Sequence, residues 1–147
     1  MKMYYYQLGN EKELYHLLNY LNFNIGNVTK YIFRAGVKKE QPYEDDIKKT
    51  LDYINCELEF IENNYFVAPT NSVAYLHRNE ISDMFFIALQ KIENKYSKLA
   101  FKFLYEYVMF HRKSSLIALQ QIIKRIVNKD YIYLDNYNFH FLQEPLK

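Results

Sequence analysis

Apolar residues in this chain recur at alternating steps of four and three, and few breakers interrupt them. Ile47, Leu51, Ile54, Leu58 and Ile61 form one such stripe, and Phe85, Leu89, Ile92, Tyr96, Leu99 and Phe103 form another. That spacing puts each set on one face of an α-helix and requires a partner surface to cover it. With only three Gly and three Pro in 147 residues, turns are scarce and helices long. Half of the residues are hydrophobic, which excludes a disordered chain and supplies one core. The expected fold is therefore mainly all-α: a bundle of five to six helices, with possible short strands at the N- and C-terminal ends.

Boundaries follow from local chemistry. Leu14, Leu17, Leu18 and Leu21 have helical spacing after a Gly9-Asn10 turn. Asn24 is a candidate N-cap for a second helix ending at Arg34, with Gly36 where a left-handed cap is wanted. Pro42 suits the first position of a third helix, whose first turn carries Glu44, Asp45 and Asp46 to match the helix dipole. That helix should stop near Asn63-Asn64, before a connector at 65–78. Either one long helix covers roughly Asn79 to Phe110 or two meet near Asn94–Ser97; Asn94 and Ser97 favour two, with Ser97 as a cap. A last helix runs from Ser114 or Ser115 to Val127. The tail from Asp130 to Phe141 alternates aromatic and polar residues, which reads as strand or extended coil able to pair with Met3–Leu8.

The second and third helices also carry polar stripes. Asn27, Lys30, Tyr31 and Arg34 are spaced 0, 3, 4, 7, and Asp46, Lys49 and Tyr53 are spaced 0, 3, 7. A short link at Val37–Gln41 makes the helices antiparallel, so the stripes can face one another. Lys and Arg there can hold phosphate, Arg in bidentate fashion. Asp46 can hold Mg²⁺ or accept a proton. Tyr31 or Tyr53 can stack on a base. The competing reading is plain interhelical ion pairing, which is worth little when exposed.

The run Gly26-Asn27-Val28-Thr29-Lys30-Tyr31-Ile32-Phe33-Arg34-Ala35-Gly36, the pair Lys38-Lys39, and Asp45-Asp46-Ile47-Lys48-Lys49-Thr50-Leu51-Asp52-Tyr53-Ile54 resemble a family of small tailed-phage proteins. Most of its members are known only as a domain of unknown function. One branch is described as a nucleotide kinase that phosphorylates nucleoside monophosphates without a P-loop. The resemblance covers about residues 14–60 and implies a nucleotide-kinase-like helical hairpin module over 1–64. It also implies a phage-type nucleotide-binding protein, with Asn27, Lys30, Tyr31, Arg34, Lys49 and Tyr53 on nucleotide or phosphate. Asp46 would then be the catalytic residue and Mg²⁺ ligand. Residues 65–147 are expected to form a helical, basic half packed on that module within one compact domain.

Other chemistry is largely excluded. There is no G-x-x-x-x-G-K-[ST] run, so any phosphate must be neutralised by side chains. His16, His77, His111 and His140 are scattered, which argues against a zinc site. The single cysteine, Cys56, suits a reducing cytosol, hence a cytoplasmic protein (the host cytoplasm if phage-encoded), and is expected to be a buried thiol. No apolar run is long enough to span a membrane.

The net charge of +2 hides an asymmetry: residues 91–129 hold nine basic and two acidic side chains. Lys91, Lys95, Lys98 and Lys102, spaced 0, 4, 7, 11, form a cationic line if their helix is continuous. This raises a second function class, a non-enzymatic phage inhibitor of a host defence system, anti-CRISPR or similar, docking on a host protein or ribonucleoprotein. Direct nucleic-acid binding is compatible but not favoured, because the aromatics there keep core spacing and do not interleave with the lysines. A solvated helix face is the competing explanation.

Overall fold

The computed structural model describes residues 7–9, 12–37, 40–63 and 68–143. Helices dominate, as the periodicity demands. A short antiparallel pair, β1 (Gln7–Gly9) and β2 (Lys12–Glu13), leads into α1 (Leu14–Leu18). Then come α2 (Phe23–Arg34), α3 (Tyr43–Glu62), a 3-10 turn at Ala74–His77, α4 (Arg78–Lys91), α5 (Lys95–Phe110), α6 (Lys113–Val127), α7 (Tyr131–Leu134) and a 3-10 turn at His140–Gln143.

A side-chain cap fixes the start of α2, whereas α3 begins after Pro42 without one. Asn22, not Asn24, caps α2: its Oδ1 accepts from the Ile25 amide at 2.8 Å, while its Nδ2 reaches the Ala68 carbonyl at 2.9 Å. Gly36 takes the left-handed backbone expected of it, at φ 82°. Pro42 is the residue before α3 and Asn63 the one after it. Ile47, Ile54 and Leu58 of α3 are buried, and Leu51 and Ile61 lie half-buried against the same core.

Two helices, α4 and α5, cover the region where one long helix was the alternative. Asn94 breaks the run, because its side chain accepts from the amides of Tyr96 and Ser97. Ser97 is thus capped, not capping; it is buried and shares a 2.6 Å hydrogen bond with the Tyr43 phenol, tying α5 to the start of α3. Buried side chains from Leu8 to Leu134 form one core to which both halves contribute, with Phe85 packed on Phe101 and Tyr105.

The C-terminal tail corrects the strand expectation. After α6 the chain reverses at Lys129 (φ 56°), and Asp130 pairs with Arg125 at 2.7 Å while accepting from the Tyr133 amide, starting α7. The aromatics serve as packing groups over α5: Tyr131 stacks on Tyr96 and Tyr137 meets Phe103 edge-on. β1 pairs with β2, through Gln7↔Glu13 and Gly9↔Lys12, and not with the tail. Met3–Tyr6 and the Asn10 half of the expected turn lie outside the described residues. The first helix stops at Leu18; Leu21 instead bridges Thr70.

Candidate functional site

Contacts at both ends define α2 and α3 as an antiparallel hairpin. At one end Arg34 meets Asp46; at the other Asn22 and Asn24 meet Glu57. The two polar stripes consequently lie side by side, and their residues gather around the Tyr31 ring. Lys30 Nζ lies 4.7 Å from its centroid, Arg34 Cζ 4.8 Å and Lys49 Nζ 5.4 Å. Tyr53 stacks beside Tyr31 at 5.9 Å with an interplanar angle of 14°. Asn27 turns its amide back onto the Phe23 carbonyl of its own helix, at 2.9 Å.

Charge bookkeeping around the ring is lopsided. Asp46 accepts from Arg34 at 2.7 Å, whereas Lys30 and Lys49 have no carboxylate within ion-pair distance among the described residues. The negative face of an aromatic ring partly offsets the repulsion between gathered cations, each contact being worth about 0.5–1 kcal/mol when exposed. An anionic ligand would relieve the remainder.

Asp46 sits differently from the expectation of a Mg²⁺ ligand or proton acceptor. Its side chain is 0% exposed, beneath an Arg34 side chain that is itself only 11% exposed. Its Oδ2 is buried with no hydrogen-bond partner among the described residues. A carboxylate sealed under a guanidinium does not fit a hydrated Mg²⁺, which keeps several waters and needs open oxygen ligands. Here the carboxylate holds the guanidinium in place.

Two features escaped the sequence reading. Glu57, on the buried side of α3, accepts from Asn22 Nδ2 at 2.9 Å and from the Tyr107 hydroxyl at 2.9 Å, locking α2, α3 and α5 together. Burial first, then the neighbouring Glu57 carboxylate, push the Tyr107 phenol above its ordinary pKa. The signal was a Glu one turn from both Ile54 and Ile61, on the apolar stripe. Phe23 is the other: it is 75% exposed and meets Tyr53 edge-on at 5.9 Å. Cys56 also departs from expectation, because its helix position faces solvent and not the core.

The basic second half does not present the lysine line. Lys91 ends α4 and Lys95 begins α5, with Ile92–Asn94 non-helical between them. Lys95 pairs with Asp135 at 3.0 Å, and Lys102 faces Glu106 at 3.8 Å. Hydrogen bonds from Tyr96 and then Lys95 lower the Asp135 pKa. Lys98 is half-buried on the same helix. A cleft of about 840 Å³ opens beside Gly36, Tyr43, Lys91 and Asn94, and one of about 420 Å³ beside Arg78, Met109 and His111. None of the Tyr31 group lines either. No helix among the described residues is long and apolar enough to cross a membrane.

A family model described as a protein of unknown function, DUF3310, matches residues 9–55. That span contains Asn27, Lys30, Tyr31, Arg34, Asp46, Lys49 and Tyr53. No curated protein matches the chain, and no solved structure does.

Proposed function

We propose that the α2–α3 hairpin binds the phosphate of a nucleotide, with Lys30 and Lys49 as its direct partners and Arg34 as a fixed third cation. The observation that carries this reading is the convergence of three cations on the Tyr31 ring, of which Lys30 and Lys49 meet no carboxylate among the described residues. Lysine ammonium groups on flexible stems supply point charges that close on phosphate, while the Asp46-anchored guanidinium needs no reorganisation. Binding is the activity this geometry supports. Phosphoryl transfer of the nucleoside-monophosphate-kinase type asks in addition for a metal site or an exposed base, and Asp46 supports neither.

The alternative, a non-enzymatic inhibitor docking on a host protein through the basic half, draws less support. Two of its four lysines already face carboxylates, and the helix break after Lys91 interrupts their line. A thermal-shift panel separates the two. Pyrophosphate and nucleoside monophosphates should raise the melting temperature of the full chain, and the Lys30→Ala/Lys49→Ala variant should not respond. No response in the unsubstituted chain rejects phosphate binding.

A further inference from the structure

Phe23 is the most exposed phenylalanine among the described residues, and its place is not random. On α2 it shares a face with Asn27, Lys30, Tyr31 and Arg34, at offsets 0, 4, 7, 8 and 11. Seven residues of helix separate it from Lys30, about 10 Å along the axis at 1.5 Å per residue. Tyr53 links the two: it stacks on Tyr31 and meets Phe23 edge-on, each at 5.9 Å.

Sequence reasoning gave base stacking to Tyr31 or Tyr53. Tyr31 is already surrounded by three cations and by Tyr53, leaving its ring committed. The interplanar angle of 70° between Phe23 and Tyr53 leaves Phe23 buttressed from one side and three-quarters open. An exposed ring held by another ring, next to an unneutralised pair of ammonium groups, matches a ligand with a flat heterocycle at one end and phosphate at the other.

We infer that Phe23, supported by Tyr53, is the stacking platform for the base of a nucleotide whose phosphate lies at Lys30 and Lys49. This deepens the phosphate-binding reading and rests on it for the position of the phosphate end.

The chain contains no tryptophan, so Phe23→Trp installs a single selectively excited reporter. The probes are dAMP and dTMP, with ribose 5-phosphate and pyrophosphate as base-free anions. Both nucleotides should quench the reporter, and ribose 5-phosphate should bind without quenching. In the otherwise unsubstituted chain Phe23→Ala should weaken dAMP about tenfold or more, consistent with the loss of one base–aromatic stack, and leave pyrophosphate affinity unchanged. Phe23→Leu, which keeps apolar bulk without a ring, should behave like Phe23→Ala and so separates stacking from helix packing. If pyrophosphate binds but dAMP binds no tighter than ribose 5-phosphate and neither variant matters, the platform is overturned while phosphate binding stands. Quenching by dAMP without any response to pyrophosphate upholds the platform and overturns the cation site. Silence from every probe overturns both.

Discussion

The Arg34 guanidinium donates to Asp46 Oδ1 at 2.7 Å, and the carboxylate beneath it has no solvent-exposed surface. The pair closes the end of the α2–α3 hairpin and turns two residues that read as site chemistry into one anchored cation. Removing one member of a buried pair strands the other charge, a cost of about 3–5 kcal/mol. Asp46→Ala should therefore lower the stability measured by urea unfolding by that amount. Arg34→Ala should do the same, which makes it a poor probe of ligand binding. A cost below about 1 kcal/mol for either change would mean that the pair is open to water.

Lys30 and Lys49 are expected to behave oppositely. Each contributes a cation–π contact to Tyr31 and no ion pair among the described residues, so substitution by Ala should cost at most about 1 kcal/mol each in stability. Anion binding should nevertheless collapse, and the residual affinity should lose most of its salt dependence. Titrations at low and moderate salt measure both effects.

Glu57 tests the other end of the hairpin. Tyr107→Phe removes the donor to Oε2 inside the core and should cost about 1–3 kcal/mol without changing anion affinity. Parallel unfolding and binding curves check this, and a binding defect in that variant would place Glu57 in the ligand site.

Alkaline stability follows from Tyr43, whose phenol burial pushes up to about 12 despite the hydrogen bond with Ser97. An unfolded tyrosine releases its proton near pH 10, whereas the native one holds it to about 12. Across that window the unfolded state binds fewer protons, so stability falls as pH rises, by about 1.4 kcal/mol per unit for this group. Below pH 10 its contribution is complete. Tyr43→Phe should cost about 1 kcal/mol at neutral pH, through the lost Ser97 partner, and flatten the alkaline limb by one proton's worth. Unfolding midpoints between pH 8 and pH 11 measure that slope; Tyr107 adds to it with the same sign.

The all-α class, the stripes on α3 to α6 and the gathering of Lys30, Tyr31, Arg34, Lys49 and Tyr53 were legible because spacing alone determines which residues share a face. The count of five to six helices fell short of the seven among the described residues because α7 lay in the stretch that read as strand. Burial was not legible. Asp46 and Lys49 are one turn apart on the same stripe, yet one is sealed and the other exposed, since the deciding factor is how closely α2 approaches. Tertiary partners also hid Glu57, whose donors come from positions 35 and 50 residues away. The aromatic tail misled for a local reason: alternation at a chain end looks like a strand until Asp130 caps a helical turn.

Calorimetric titration of pyrophosphate into the full chain, beside the Lys30→Ala/Lys49→Ala variant, measures phosphate binding by the α2–α3 hairpin itself. Saturable binding to the unsubstituted chain is expected, with its loss in a variant that unfolds at nearly the same urea concentration. Equal binding by both proteins, or no heat from either, would contradict that assignment.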